Sequence, residues 1–170
     1  DTLSRHGRTF ESETDTEVLG HLIAIASADG LTQRVLQALE HVRGAYAIAV
    51  MSLSESDTLV VAKNASPLVI GLLDAAGVVA SDIPALLPYT RRTLVLEENE
   101  IATIRPGSVV VTSLKGEKVN RPAHTIDWSP VMAEKGGHKH FMHKEIFEQP
   151  RAMIDTLRGR LAAQGDDVLL

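Results

Sequence analysis

Six polar side chains run together at Ser12-Glu13-Thr14-Asp15-Thr16-Glu17, and three of them are carboxylates. An acid in this setting has two uses. In the first turn of a helix it faces the positive end of the helix dipole, worth about 0.3–1 kcal/mol. Pointing outward, Asp15 is also a fixed anion able to receive an ammonium group, and the helix start keeps it ionised. First-turn acids are common, so composition by itself favours the purely helical role. Glu13 and Glu17 carry the same two readings, with Glu17 the better capping partner.

A second cluster is G-H-K-H-F-M-H, with His138, His140 and His143. Alternation along an extended segment places His138 and His140 on one side, and His143 needs a bend to join them. Zinc takes three or four ligands backed by supporting groups. The expected state is a solvated, partly packed linker, with no metal and no cofactor assigned.

Other chemistry finds no motif. The chain has no cysteine. Within it there is therefore no disulfide framework, no thiolate metal site and no thiol nucleophile. There is no G-x-S-x-G, and Ser66 before Pro67 reads as a turn. There is no H-E-x-x-H, since His143-Lys144-Glu145 lacks the second histidine, and no phosphate-binding G-x-x-x-x-G-K-[ST] loop. Arg91-Arg92 reads as two solvated arginines at a strand start. Trp128, with two tyrosines and three phenylalanines, is too sparse for a base-stacking platform. Net charge is −5 with no basic stripe, which argues against nucleic acid as a partner. The longest apolar run, Ala45 to Met51, is strand-sized, so no membrane span is expected. No signal peptide is evident. The absence of cysteine fits a cytoplasmic protein.

The elements that must position these groups follow from periodicity. Thr14 with Glu17 is a capping-box pattern. Behind it Val18, Leu19, Leu22, Ile23 and Ala26 share one face, predicting a helix from Asp15 to about Ala28, stopped by Asp29-Gly30. Leu31, Val35, Ala38, Leu39 and Val42 predict a second amphipathic helix. After Gly44 the period changes to short β-branched runs. Strands are predicted at 45–53, 58–63, 68–72, 78–80, 93–96, 100–104, 108–113 and 118–122. Ser81 and Asp82 can cap a single helical turn to Leu87. Residues 120–137 read as irregular, 140–149 as a docked segment, and Pro150 as the first turn of a helix over 151–161. At 170 residues, 44% of them hydrophobic, the chain suffices for one α+β domain with a real core, plus the beginning of something else.

Several stretches, taken in order, resemble one family. They are S-E-T-D-T-E at 12–17, R-G-A-Y-A at 43–47, S-P-L-V-I-G at 66–71 and A-S-D at 80–82 with Ala85-Leu86. L-E-E-N-E-I-A at 96–102 and H-F-M-H-K-E-I-F-E-Q-P at 140–150 complete the set. Together they resemble the glutamine–fructose-6-phosphate aminotransferase family over about Phe10 to Arg151. The resemblance implies a partial N-terminal-nucleophile hydrolase type αββα sandwich, followed by the first helix of a sugar isomerase domain. It divides the chain into the distal part of a glutaminase domain (1–136), an interdomain linker (137–150) and the start of the isomerase domain (151–170).

In that family the aspartate of the first stretch binds the α-ammonium of glutamine, a role that falls on Asp15. The family's nucleophile is an N-terminal cysteine, whose thiolate attacks the glutamine amide. The released ammonia travels to fructose 6-phosphate, giving glucosamine 6-phosphate and glutamate. Neither the cysteine nor its arginine-bearing and asparagine–glycine loops lie in this chain, which begins at Asp1. The chain by itself is thus expected to be inactive, with an upstream glutaminase segment and a downstream isomerase domain as partners. A homodimer through the isomerase domain is also implied. The alternative is a non-catalytic module, a decayed glutaminase domain that binds an amino acid or a partner subunit.

Overall fold

The computed structural model describes residues 2–127 and 138–157. The chain forms two compact units, Asp1–Asp127 and Trp128–Leu170. Trp128, the Gly136-Gly137 pair and residues 158–170 lie outside the described residues.

The first unit opens with α1 (Thr2–Arg5), α2 (Asp15–Ile25) and α3 (Leu31–Leu39). Helix α2 ends three residues before its predicted limit, because Ala26 turns to extended backbone after donating to Leu22 O. Helix α3 tightens after Leu39, where the amides of His41 and Val42 bond three residues back. Its first amide has no local cap. The Leu31 N–H is taken instead by Glu55 Oε1 at 2.5 Å, from a strand 24 residues on.

Nine strands follow among the described residues: β1 (Tyr46–Ser52), β2 (Glu55–Asn64), β3 (Val69–Leu72), β4 (Gly77–Ala80), β5 (Arg92–Val95), β6 (Glu100–Arg105), β7 (Ser108–Ser113), β8 (Lys118–Val119) and β9 (His124–Thr125). They build two antiparallel sheets, ordered β1-β2-β6-β7-β8 and β4-β3-β5-β9. The predicted strands appear within a few residues of their expected limits. The exception is β9, a two-residue strand inside the stretch read as irregular. It is held by Arg92 pairing Thr125 and Thr93 pairing His124.

Alternation in β2 and β6 joins the layers. Val60, Ala62 and Ile101 point to one side and pack with Ile23, Leu31, Val35 and Leu39 of the helices. Val61, Ala102 and Ile104 point to the other and pack with Ile70, Leu94 and Leu96 of the second sheet. Val35, Val60, Val61, Ile70 and Ile101 are fully buried, each contributing about 1.5–3 kcal/mol of transfer free energy. Thr32 and Thr103 add a hydroxyl–hydroxyl bond of 2.9 Å between helix and sheet.

The result is three layers, helices on sheet on sheet. Among the described residues of this unit, no second helical layer covers the outer face of the smaller sheet. The turn over residues 81–90 lies there, placing Leu86 and Thr90 against Gly71. Asp82 caps that turn as its position suggested, accepting the Ala85 N–H at 3.1 Å.

In the second unit, α4 spans Phe141–Leu157 and contains Pro150. The expectation that Pro150 starts a helix is incorrect. The helix runs through the proline, and Met142, Ile146 and Met153 along it are exposed. No helix among the described residues is long and apolar enough to cross a membrane.

Candidate functional site

The start of α2 sorts its three acids into different states. Thr14 is the N-cap, with extended backbone, but makes no side-chain capping bond. The expected reciprocal box is therefore not formed. Glu17 reaches further back. Its Oε1 accepts the Glu11 N–H at 2.7 Å. Its Oε2 accepts the Ser12 N–H at 2.7 Å and the Ser12 hydroxyl at 2.5 Å. The Ser12 hydroxyl, followed by the amides of Glu11 and Ser12, lowers the Glu17 carboxyl from 4.5 to about 2. Glu17 is thus committed to folding the approach to the helix. The box fails because Ser12 offers two donors at once, where the Thr14 amide offers one.

Asp15 is left available. No hydrogen bond or ion pair of its carboxylate occurs among the described residues. Although exposed, it lines a crevice of about 520 Å³ that also takes in Leu19, Arg43, Tyr46, Ile48 and Ser66. Glu13 is exposed and lines no part of this crevice.

The facing wall is assembled from two turns that the sequence places 20 residues apart. Gly44 sits at φ +105°, a conformation open to glycine and strained for other residues. Its carbonyl accepts Asn64 Nδ2 at 2.6 Å. Tyr46 pairs with Asn64 and bridges to Ala65. Ala65 adopts φ +52° just before Ser66. That turn is braced by Glu98, whose Oε2 accepts the Ala65 N–H at 2.9 Å and whose Oε1 meets Lys63 Nζ at 2.7 Å. Lys63, then the Ala65 amide, holds the Glu98 carboxyl below its usual range. Burial, then the Glu98 charge, pushes the Tyr46 phenol up, so it stays a neutral hydroxyl.

Asp15 is accordingly a carboxylate without a counter-ion, at the positive end of a helix, facing a half-apolar wall with a hydroxyl and a phenol. A fixed anion there can receive a cationic head on a small polar molecule, on a crevice that His41 and Arg43 also line. Ser66 belongs to this wall rather than to an ordinary surface turn. Sequence reasoning did not reach Asn64, Tyr46 or Glu98 as structural members of the site. The available signal was the non-glycine turn K-N-A-S-P, which needs outside support to hold a positive φ.

The remaining candidates sit apart. Arg91 and Arg92 are exposed at the start of β5, as expected of solvated arginines. His138 meets His143, Nδ1 to Nδ1, at 3.0 Å. The expected partner, His140, is exposed and gives its carbonyl to the Lys144 amide. Helix α4 supplies the bend that extended alternation lacks. Among the described residues no three His, Asp or Glu side chains converge.

Among solved structures, the B. subtilis glutamine phosphoribosylpyrophosphate amidotransferase, complexed with ADP and GMP, aligns with this chain at a TM-score of 0.58 and 29% identity. The alignment covers 66% of this chain and 25% of that one. The fold is thus that of an amidotransferase of the N-terminal-nucleophile hydrolase class, with antiparallel sheets stacked under helices. A family model described as "Glutamine amidotransferase domain" matches residues 1–88, and the chain belongs to that family.

Three relatives are each named "Glutamine--fructose-6-phosphate aminotransferase [isomerizing]". That of Symbiobacterium thermophilum is 52% identical over 95% of this chain and 26% of its own length. That of Aquifex aeolicus is 45% identical over 95% and 27%. That of one Thermus thermophilus strain is 44% identical over 100% and 28%. The chain spans about a quarter of the length of these relatives.

Proposed function

We propose that this chain supplies the ammonium-binding half of a glutaminase site, and that Asp15 grips the α-ammonium of glutamine. One observation carries the reading. Asp15 is the acid of its stretch that is both unpaired and on the crevice, while Glu17 is consumed by Ser12. The membership in the glutamine amidotransferase domain family supports glutamine as the ligand.

The names of the relatives support the rest of the reaction. Glutamine is hydrolysed, and its ammonia passes to fructose 6-phosphate, giving glucosamine 6-phosphate and glutamate. The nucleophile and the isomerase site are contributed by other segments of the intact enzyme. Residues 1–136 act as the distal glutaminase part, 137–150 as linker, and 151–170 as the start of the isomerase domain, through which the enzyme dimerises in the cytoplasm.

The mechanism asks little of Asp15 beyond position. A carboxylate fixed at a helix start orients the amino acid by one end, so that the amide at the other reaches the nucleophile. Replacing Asp15 with Asn in the intact enzyme and measuring the KM for glutamine tests it. A KM that does not move sinks the assignment.

A further inference from the structure

Outside the Asp15 crevice, His138 and His143 are a pair of metal-ligating side chains that the proposed reaction does not use. His138 and His143 face each other Nδ1 to Nδ1 at 3.0 Å, with ring planes at 68°. Phe147, four residues on from His143 along α4, stacks on His138 with centroids 5.7 Å apart. It meets the His143 ring edge-on at 5.0 Å. The three rings therefore orient one another. An Nδ1–Nδ1 bond uses a single proton, one ring donating and the other accepting. If the donor ring carries that proton on Nε2 instead, two lone pairs face the gap with no change of charge.

We propose that His138 and His143 form a two-imidazole site for a first-row divalent ion, taking Cu²⁺ or Ni²⁺ in preference to Zn²⁺, with water in the remaining positions. Geometry makes the choice. Metal–imidazole bonds are about 2.0–2.1 Å long, so nitrogens 3.0 Å apart subtend about 90° at the ion. That angle suits square-planar or octahedral ions, whereas tetrahedral zinc needs the nitrogens about 3.4 Å apart. With no third protein ligand among the described residues, the bound ion keeps exchangeable waters. The start of α4 is the positive end of a dipole and opposes a cation, so the affinity is modest. Because imidazole must be neutral to coordinate, binding weakens in acid. The ion would tie the segment at residue 138 to the first turn of α4.

Calorimetric titration of the full chain with CuCl₂, NiCl₂ and ZnCl₂, in a non-coordinating buffer, tests this. One equivalent of Cu²⁺ or Ni²⁺ is expected, weakened at least about tenfold by His138→Asn or His143→Gln and unchanged by His140→Asn. No saturable binding, equal loss in His140→Asn, or tighter binding of Zn²⁺ than of Ni²⁺ overturns the proposal. In the unsubstituted chain, Ni²⁺ is expected to broaden the ring resonances of His138 and His143 first. Broadening centred on any other histidine overturns it as well.

Discussion

Ser12 binds Glu17 Oε2 twice, through its amide at 2.7 Å and its hydroxyl at 2.5 Å. This pair takes Glu17 out of play and leaves Glu13 and Asp15, of which only Asp15 lines the crevice. The pair's thermodynamic signature follows from linkage. The Glu17 carboxyl is lowered from 4.5 to about 2 in the folded chain. A depressed pKa contributes stability that is complete above the unfolded value and lost as pH falls through the folded one. Thermal melts should therefore show a loss between about pH 4.5 and pH 2 that is smaller in Glu17→Gln. Superimposable profiles for the two chains contradict the assignment.

Asp15, by contrast, has nothing in the fold to lose except its place near the helix dipole. Asp15→Asn is expected to change the melting of the chain by no more than about 0.3–1 kcal/mol. If Asp15 grips the glutamine ammonium as proposed, the same change in the intact enzyme removes one partner of a desolvated charge pair, with an expected cost of about 2–5 kcal/mol. That corresponds to a roughly 30- to several-thousand-fold loss in glutamine affinity. A variant that melts much earlier yet keeps its KM would assign Asp15 to structure rather than to substrate.

Much of this arrangement can be read before any coordinates. The helices at 15–25 and 31–39 declare themselves by Leu19, Leu22, Val35 and Leu39 at helical spacing, because one buried face suffices to fix each. The strands declare themselves by type and by the turns between them. What the sequence hides is long-range. Glu55 capping α3, Asn64 holding Gly44 and Glu98 bracing Ala65 join residues 20 to 33 positions apart. No local pattern encodes such partners. Pro150 misleads for the opposite reason, since the local rule that lets proline start a helix meets a helix already running from Phe141.

Gly77 reports the closeness of the two sheets. A Cβ built there would sit 2.7 Å from Ile104 Cγ2. Ile104 is a buried, β-branched side chain with little freedom to retreat. Gly77→Ala is expected to destabilise the first unit by about 1–3 kcal/mol through overpacking. Ile104→Ala, destabilising in its own right, should recover part of that cost when combined with it. Additive losses in chemical denaturation would argue that the sheets are not in contact here.

Glu100 and Arg121 make a second linkage test. Burial alone would raise the Glu100 carboxyl. Arg121 and the Glu97 amide outweigh it and leave a net lowering. Arg121 Nε and Nη2 hold both oxygens of Glu100, at 2.5–3.1 Å. In the native chain Glu100 therefore adds stability above the ordinary carboxylate range and loses it as pH falls. In Arg121→Ala only the Glu97 amide and the Lys63 charge still oppose burial, so the Glu100 carboxyl is expected to rise relative to the native chain and to add less stability above the carboxylate range. Carboxyl-carbon NMR titration of Glu100 in the two chains reads this directly. A Glu100 titration that moves downward in the variant rules it out.

Among the described residues strand β1 bonds to β2 on one side only, so its outer edge offers unpaired amides and carbonyls. Ala47, Ala49 and Met51 are exposed along it at alternate positions. Beside the edge runs a crevice of about 370 Å³ walled by Leu19 and Ile23 of α2. An apolar edge without a charge or a proline is a template for another strand. The chain on its own is therefore expected to self-associate with rising concentration. Ala49→Lys places a charge on the edge's exposed face without touching the helix-facing Ile48 and Val50, and should suppress that association. Sedimentation velocity across a tenfold concentration range distinguishes the outcomes. A monomer at every concentration, indifferent to Ala49→Lys, would mean that the β1 edge is closed by contacts within the chain.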